Sequence, residues 1–507
     1  MLTHSRSFTC KGYLLDIGFC KSRFKTSFFL TLFSLLSLQV QAQDNKGMNV
    51  LFMISDDLTA TALSSYENGA SHTPNIDNLA SEGTRFTKAY CQYPVCGPSR
   101  ASLMFGYYPN ATKTYGYVSG REKVGPDRLS WAQLFKNNGY YTARVGKIFH
   151  MGSVDVLKGR DGKDDPDSWT ERFNSPAPEV HAKGEHELVQ NNPFGLLTLS
   201  KDTNWNGGNQ LHIVKTEENE IQTDAETANK VSELLRQHKN EPFFIAAGFF
   251  RPHVPFVAPK SSFANYPHEQ IVMPPKVDND WDDIPEQGIN YVNSVNGEMT
   301  VEQEKKAVAA YYASTSFLDD QVGKVLQTLK EEGLDENTIV IFTSDHGYFL
   351  GEHRFWMKVG LMEESARVPL IIKMPGQAPA VCHSFAELID LYPTISELAG
   401  LQAPSTIQGK SLAPLIDNPT LKVRDFAFSV SQRNGSMGYL IRSSDWAYIQ
   451  YGEQAEGGME LYDMNYDKGQ YNNLALYPKY TNVVSEMQSL LKDKLIEVRT
   501  NDLGIPY

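Results

Sequence analysis

A thiol, a proline, a hydroxyl and a guanidinium stand together in Cys96-Gly97-Pro98-Ser99-Arg100, the centre of a longer stretch from Cys91 to Gly106. The positive charge of Arg100 would favour a thiolate at Cys96. A helix opening just after it would add N-terminal dipole and free N–H groups, the makings of an anion site. Taken alone, the pentapeptide is equally compatible with a buried cysteine in a turn, an ordinary fate for that residue. Other chemistry-bearing residues weigh on the choice. Asp56-Asp57 follow the apolar run Met48 to Ser55, and Asp345-His346 follow the similar run Thr338 to Ser344. Carboxylates of this kind are hard oxygen ligands suited to Ca2+ or Mg2+. The plainer reading of Asp56-Asp57 is a helix cap after a strand, but the echo at Asp345 argues against it.

The elements must bring these residues to one place. Continuous apolar runs such as Met48 to Ser55, Pro242 to Phe250 and Thr338 to Ser344 read as strands buried on both faces of a parallel sheet. Helical patterning lies between them at Asn75 to Ala80, Trp131 to Asn138, Thr223 to His238 and Gln303 to Glu332. Strands alternating with helices predict an α/β fold with a doubly wound, mostly parallel sheet. Ligands gather at the carboxyl ends of such strands, where Asp56, Asp57, His253, Asp345 and His346 would fall. Residues 151–215 are polar and read as insertions around the mouth of the site. From about Arg424 short antiparallel strands take over, followed by a helix from about Tyr480 to Arg499. The expected organisation is a leader at 1–42, a catalytic α/β domain at 43–420 and a small α+β domain at 421–507.

Composition sets further bounds. The chain has 507 residues, 41% hydrophobic and 21% charged, with a formal net charge of −13 and a pI near 5.5. That balance argues against nucleic acid as a partner. It also requires any anion site to be a local concentration of Lys, Arg, His and metal. Ser27 to Leu38 is apolar, basic residues precede it, and Val40-Gln41-Ala42 gives a small-residue cleavage pattern. The segment reads as a secretory signal, short for a membrane span, so an exported protein without a stable membrane span is expected. Cleavage after Ala42 would remove five basic residues and Asp16, a net of +4, so the remaining chain would carry −17 in place of −13. Of the five cysteines, Cys91, Cys96 and Cys382 would remain. An odd number in an exported chain flags one thiol as free or modified.

The pentapeptide resembles the first signature of the type I sulfatases, whose cysteine becomes formylglycine. Gly139 to His150 (GYYTARVGKIFH) is similar to the second signature. The resemblance runs from about residue 47 onward and is closest to the iduronate-2-sulfatase branch. It implies an alkaline-phosphatase-like large domain and hydrolysis of sulfate esters by a formylglycine at position 96, beside one calcium ion. By this resemblance Asp56, Asp57, Cys96 and Asp345 would hold the metal, and His346 would complete the set or touch only the sulfate, imidazole being a less usual calcium ligand. Arg100 would hold the nucleophile and the metal ligands, Lys147 and Lys358 would grip the sulfate, His150 would orient the nucleophile, and His253 would protonate the leaving oxygen. A formylglycine-generating enzyme is an implied partner during maturation. The substrate expectation is a sulfated oligosaccharide or polysaccharide containing uronate, such as ulvan or a glycosaminoglycan, with sulfate taken from a chain end. The alternatives are a phosphodiesterase or phosphonate hydrolase of the same superfamily and a non-catalytic carbohydrate-binding relative. The sequence departs from the family at Met104-Phe105-Gly106-Tyr107, which is expected to bear on the substrate entrance. Arg85 and Lys88 precede the signature and read as surface residues that could also serve the substrate.

Overall fold

Eight strands build the main sheet of the structure, a computed structural model that describes residues 47–66, 71–189, 211–291, 299–433 and 435–506. In chain order they are β1 (Asn49–Asp56), β2 (Thr84–Tyr90), β3 (Tyr141–Gly146), β4 (Glu171–Phe173), β5 (Phe243–Pro252), β6 (Thr338–Ser344), β7 (Arg367–Lys373) and β8 (Ala380–Glu387). Their spatial order is β8-β2-β7-β6-β1-β5-β3-β4. All pairings are parallel except the two made by β7, which runs against both β6 and β2. The leader read at 1–42 lies outside the described residues, as does part of the polar 151–215 region.

The period-2 geometry of a strand explains why β1 and β6 are apolar throughout. On β1, Val50, Phe52 and Ile54 enter one core while Leu51 and Met53 enter the other. On β6, Ile339 and Ile341 face the first core, and Val340 and Phe342 the second. The sheet is therefore a wall between two cores, as the alternation of strands and helices predicted. Helices α1 (Pro74–Glu82), α2 (Cys96–Phe105), α3 (Trp131–Asn137), α4 (Thr223–Gln237), α5 (Val301–Glu331) and α6 (Leu391–Leu398) flank it. Asn49 to Ser55 of β1 pair residue by residue with Thr338 to Ser344 of β6, so Asp56 and Asp345 leave the sheet side by side.

A separate antiparallel sheet follows, made of β9 (Phe426–Arg433), β10 (Ser436–Ser443), β11 (Trp446–Tyr451) and β12 (Met459–Asp463) in sequential order, with α7 (Thr481–Arg499) beyond it. Phe428, Val430 and Leu491 from this part join the same core as α2 and α3. The departure at Met104-Phe105-Gly106-Tyr107 belongs to that packing and not to an entrance: Met104, Phe105 and Tyr107 are buried, and the Tyr107 hydroxyl is bonded to Thr406 and Asp502. Cys91 and Cys382 are both buried and free, with no disulfide between them.

Candidate active site

Helix α2 begins at Cys96, so the thiol sits in the first turn among N–H groups without intrahelical partners. Gly97 is required by a close approach, since a Cβ there would stand 2.7 Å from the Gly116 carbonyl. The Cys96 side chain is 1% exposed. Its Sγ lies 3.1 Å from Lys358 Nζ, 3.3 Å from His346 Nε2 and 4.0 Å from Asp57 Oδ1.

The carboxylates come from the ends of β1 and β6. Asp57 N donates to Asp345 Oδ1 at 3.2 Å, and Lys358 Nζ donates to Asp57 Oδ1 at 2.7 Å. Lys147, just past β3, pairs with Asp56 Oδ2. Arg100 ties the ensemble together. Its Nε donates to Asp345 Oδ2 at 2.7 Å, its Nη2 to Ser55 O at 3.1 Å, and its Nη1 to the Lys147 and Ile148 carbonyls. His253 follows β5, with Nδ1 donating to Val254 O and Nε2 facing Asp57 Oδ2 at 3.8 Å. His346 likewise gives Nδ1–H to Gly347 O, which leaves Nε2 directed at the thiol. His150 stacks on Tyr117, their rings 4.3 Å apart.

All ten residues anticipated from the sequence thus meet at the carboxyl edge of the sheet. Others join them. Ser99 Oγ donates to Asp345 O at 2.5 Å, Tyr311 donates to Asp57 O, and Tyr117 covers His150 from a half-exposed position. Ser99 was legible inside the pentapeptide. Tyr311 is one of 25 tyrosines in the chain and one of two on a long helix, and Tyr117 lies in a loop without a motif, so neither carries a sequence signal.

Packing this much charge into a buried place moves the proton affinities. Burial would raise the Cys96 thiol, but Lys147, Lys358 and His346 outweigh it and hold the thiol well below its usual value. Burial and the charge of Cys96 push Asp56 up, yet Lys147, His253 and Arg100 keep it below the ordinary carboxylate range. Asp345 is lifted to about 7, by burial first and also by Asp56, against the pull of Arg100. For His346 burial disfavours the cation, but Asp345 and Cys96 raise it to about 9. Clustered acids in a dry site repel one another unless a cation shares them. Asp56 Oδ1 and Asp57 Oδ2 are buried and accept no hydrogen bond. Asp56, Cys96, Asp345 and His346 present donor atoms within 4.8 Å of one another, and so do Asp56, Asp57, Cys96 and His253. Orphaned carboxylate oxygens in a convergent set fit a hard divalent cation.

The match to known proteins agrees with this geometry. The Sulfatase family model covers residues 48–401, and the model for the C-terminal part of N-sulphoglucosamine sulphohydrolase covers residues 351–499. The chain belongs to the sulfatase family and is a sulfuric ester hydrolase. A protein named Sulfatase from Formosa agariphila is 31% identical over 488 residues, 92% of each chain. Iduronate 2-sulfatase of Homo sapiens is 32% identical over 400 residues, 71% of this chain and 70% of its own. A solved 2-O GAG sulfatase superposes with TM-score 0.68 at 24% identity, covering 90% of this chain and 93% of its own. The phosphonate monoester hydrolase of Agrobacterium radiobacter gives TM-score 0.70 at 21% identity over 89% of this chain and 96% of its own, so this fold is shared beyond sulfatases.

Proposed function

We propose that the protein removes sulfate from a uronate-containing saccharide, of glycosaminoglycan or ulvan type, with residue 96 matured to formylglycine and one Ca2+ beside it. The observation that carries this reading is the buried meeting of Cys96 with three carboxylates and two lysine ammoniums, two carboxylate oxygens accepting no hydrogen bond. The saccharide class draws its support from the 32% identity to human iduronate 2-sulfatase. Export of the mature chain, from the leader at 1–42, is part of the same reading. No described helix is long and apolar enough to cross a membrane.

Asp56, Asp57, Asp345, His346 and residue 96 would hold the ion, which when bound neutralises the acids and polarises the oxygens of the ester. A hydrated formylglycine supplies a geminal diol, one hydroxyl to attack sulfur and the other to let the aldehyde return as sulfate leaves. That group arises by oxidation of the Cys96 side chain by a formylglycine-generating enzyme using an external oxidant. The remaining work falls to this chain's own groups. Lys147 and Lys358 balance the negative oxygens of the ester in a site from which water is largely excluded. His253 has its Nδ1–H committed to a backbone carbonyl, so Nε2 is the atom that passes a proton to the departing alkoxide. Arg100 is a positioning residue, holding Asp345 and three carbonyls in fixed relation. His150, fixed under Tyr117, orients the nucleophile.

The test has two arms. Mass spectrometry of the peptide bearing residue 96 is expected to show sulfur replaced by oxygen with two hydrogens lost; an active preparation holding only thiol overturns the formylglycine claim. Sulfate release is then compared on heparin-type and ulvan-type oligosaccharides, an aryl sulfate and a phosphate ester, with Cys96→Ala as the inactive control. Turnover confined to the aryl sulfate or the phosphate ester overturns the saccharide assignment.

A further inference from the structure

Beyond the reaction centre, across the short segment Glu363 to Arg367, the fold leaves a cavity of about 710 Å3. This volume falls within the range of small-molecule sites, roughly 300–1,000 Å3. The segment is the partition between the two places. Its backbone accepts from the site side, Ser365 O from Gly347 N and Glu364 O from Tyr348 N, both directly after His346. Its side chains Glu363, Glu364 and Arg367 line the cavity. None of the ten residues of the reaction centre does.

The cavity is strongly basic in a chain of net charge −13. Arg85 and Lys88 on β2, Arg367 at the start of β7, Arg442 on β10 and Lys468 after β12 all face it, against Glu363 and Glu364. One carboxylate already serves two guanidiniums: Glu363 pairs with Arg442 at 2.8 Å and with Arg367 at 3.2 Å. Arg85 and Lys88 have no carboxylate partner among the described residues. They rest on aromatic faces instead, Arg85 5.3 Å from the Tyr66 ring centre and Lys88 5.1 Å from that of Phe385. Arg442 approaches the same Phe385 ring at 5.8 Å. Burial, and after it the neighbouring Arg442, lowers the proton affinity of Lys88. Glu363 and Asp445 act on Lys88 without forming an ion pair with it, and among the described lining residues five Lys and Arg face two carboxylates, an arrangement suited to an anion that comes from outside. Guanidinium forks bind sulfate and carboxylate groups through paired charge-assisted hydrogen bonds.

We infer that this cavity is an auxiliary subsite for a sulfate or carboxylate group of an anionic saccharide, separate from the place where the ester is cleaved. The inference rests on the reading of the substrate as such a saccharide. Inorganic sulfate, the product of the reaction, offers the same chemistry, so both are used as probes.

The decisive comparison is between Cys96→Ala and the same protein carrying Arg85→Ala and Lys88→Ala, titrated calorimetrically with a sulfated uronate oligosaccharide and with sodium sulfate. Loss of two charged contacts should weaken oligosaccharide binding about tenfold, and Arg85→Lys should restore part of it. In otherwise unaltered protein, Arg85→Ala/Lys88→Ala should raise KM for the oligosaccharide by a similar factor and leave kcat/KM for an aryl sulfate unchanged. Circular dichroism of the variant checks that it folds. Unchanged oligosaccharide affinity overturns the subsite. Cavity-dependent binding of inorganic sulfate as tight as that of the oligosaccharide overturns the saccharide claim. Failure of the unaltered protein to act on any sulfated saccharide, with aryl sulfate still cleaved, defeats the functional reading itself and is recognisable without the variant.

Discussion

Arg100 shows how much a single side chain is asked to do. It is fully buried and reaches Asp345 and the carbonyls of Ser55, Lys147 and Ile148, so one guanidinium joins α2, β1, β3 and β6. A lysine cannot reproduce that fork. Arg100→Lys is expected to destabilise the protein by about 3 kcal/mol, the scale of a broken buried ion pair, and to lower turnover at least a hundredfold; urea unfolding and sulfate release check the two effects. Asp345→Asn removes one of the acids that the ion would balance. Elemental analysis should show occupancy falling from near one ion per chain to well below it, with activity falling in step, and unchanged occupancy would remove Asp345 from the ligand set. These positions were legible because the types are demanding: acids ending apolar strands, a cysteine in a fixed pentapeptide, lysines and histidines at set distances from both. Tyr117 and Tyr311 were not, since contact across a fold leaves no mark on a tyrosine's neighbours in sequence.

Strand β7 is the element the sequence hid best. It lies between two other strands in the sheet, yet it carries Pro369, and proline in a strand interior argues against that assignment. The structure resolves the conflict with a break in register between Val368 and Leu370, where the missing N–H is not needed. Strand β8 has a similar shift between Cys382 and Phe385, which spoils its alternation. By contrast β1 and β6 pair without interruption and read clearly. The end of α2 is set by Gly106, at φ +75°, where a Cβ would stand 2.8 Å from Ile407. Gly106→Ala should therefore cost about 1–3 kcal/mol by thermal unfolding and shift the helix that carries Cys96, lowering activity as well. In the small sheet formed by Gly184–Leu188, His212–Thr216 and Phe256–Pro259, burial depresses His212 to about 4, with His186 and His181 adding to the effect. The folded chain then refuses a proton that the unfolded chain accepts. Stability attributable to His212 is complete above pH 6.5 and declines between 6.5 and about 4, by about 3 kcal/mol in total. Unfolding free energies at neutral and mildly acid pH should differ less in His212→Leu than in the unaltered protein.

The net charge of −13 works against a polyanionic substrate everywhere except where cations are concentrated. Arg144 and Arg251 do not help, being buried in pairs with Asp164 and Glu179. A long sulfated chain must bring many charges near an acidic surface to present one ester. Sulfate release is therefore expected to be faster from oligosaccharides than from intact polymer at equal sulfate concentration, and the gap should narrow as salt screens the repulsion. Rates on both materials across a salt series check this, and equal rates at low salt would contradict it. The sheet and its active edge were thus readable from strand endings. The basic cavity was not, because Arg85, Lys88, Arg367, Arg442 and Lys468 come from separate elements and only the fold assembles them.

The antiparallel course of β7 has a consequence in time. Because β7 returns beside β6, the stretch holding Asp345, His346 and Lys358 leaves and re-enters the sheet at one end, and this half of the site closes through local contacts. The half holding Cys96 can be covered only when that later stretch arrives, since His346, one of the groups lying over the thiol, is 250 residues further along. At ribosomal speeds of about 5–20 residues per second, that distance keeps Cys96 reachable for roughly 10–50 s after it is made. Once His346 and Lys358 dock, the thiol is shut in. If residue 96 is matured to formylglycine as proposed, the order in which the sheet is completed would set a clock for the enzyme that oxidises Cys96, and a variant that folds its second half sooner would be made with less formylglycine.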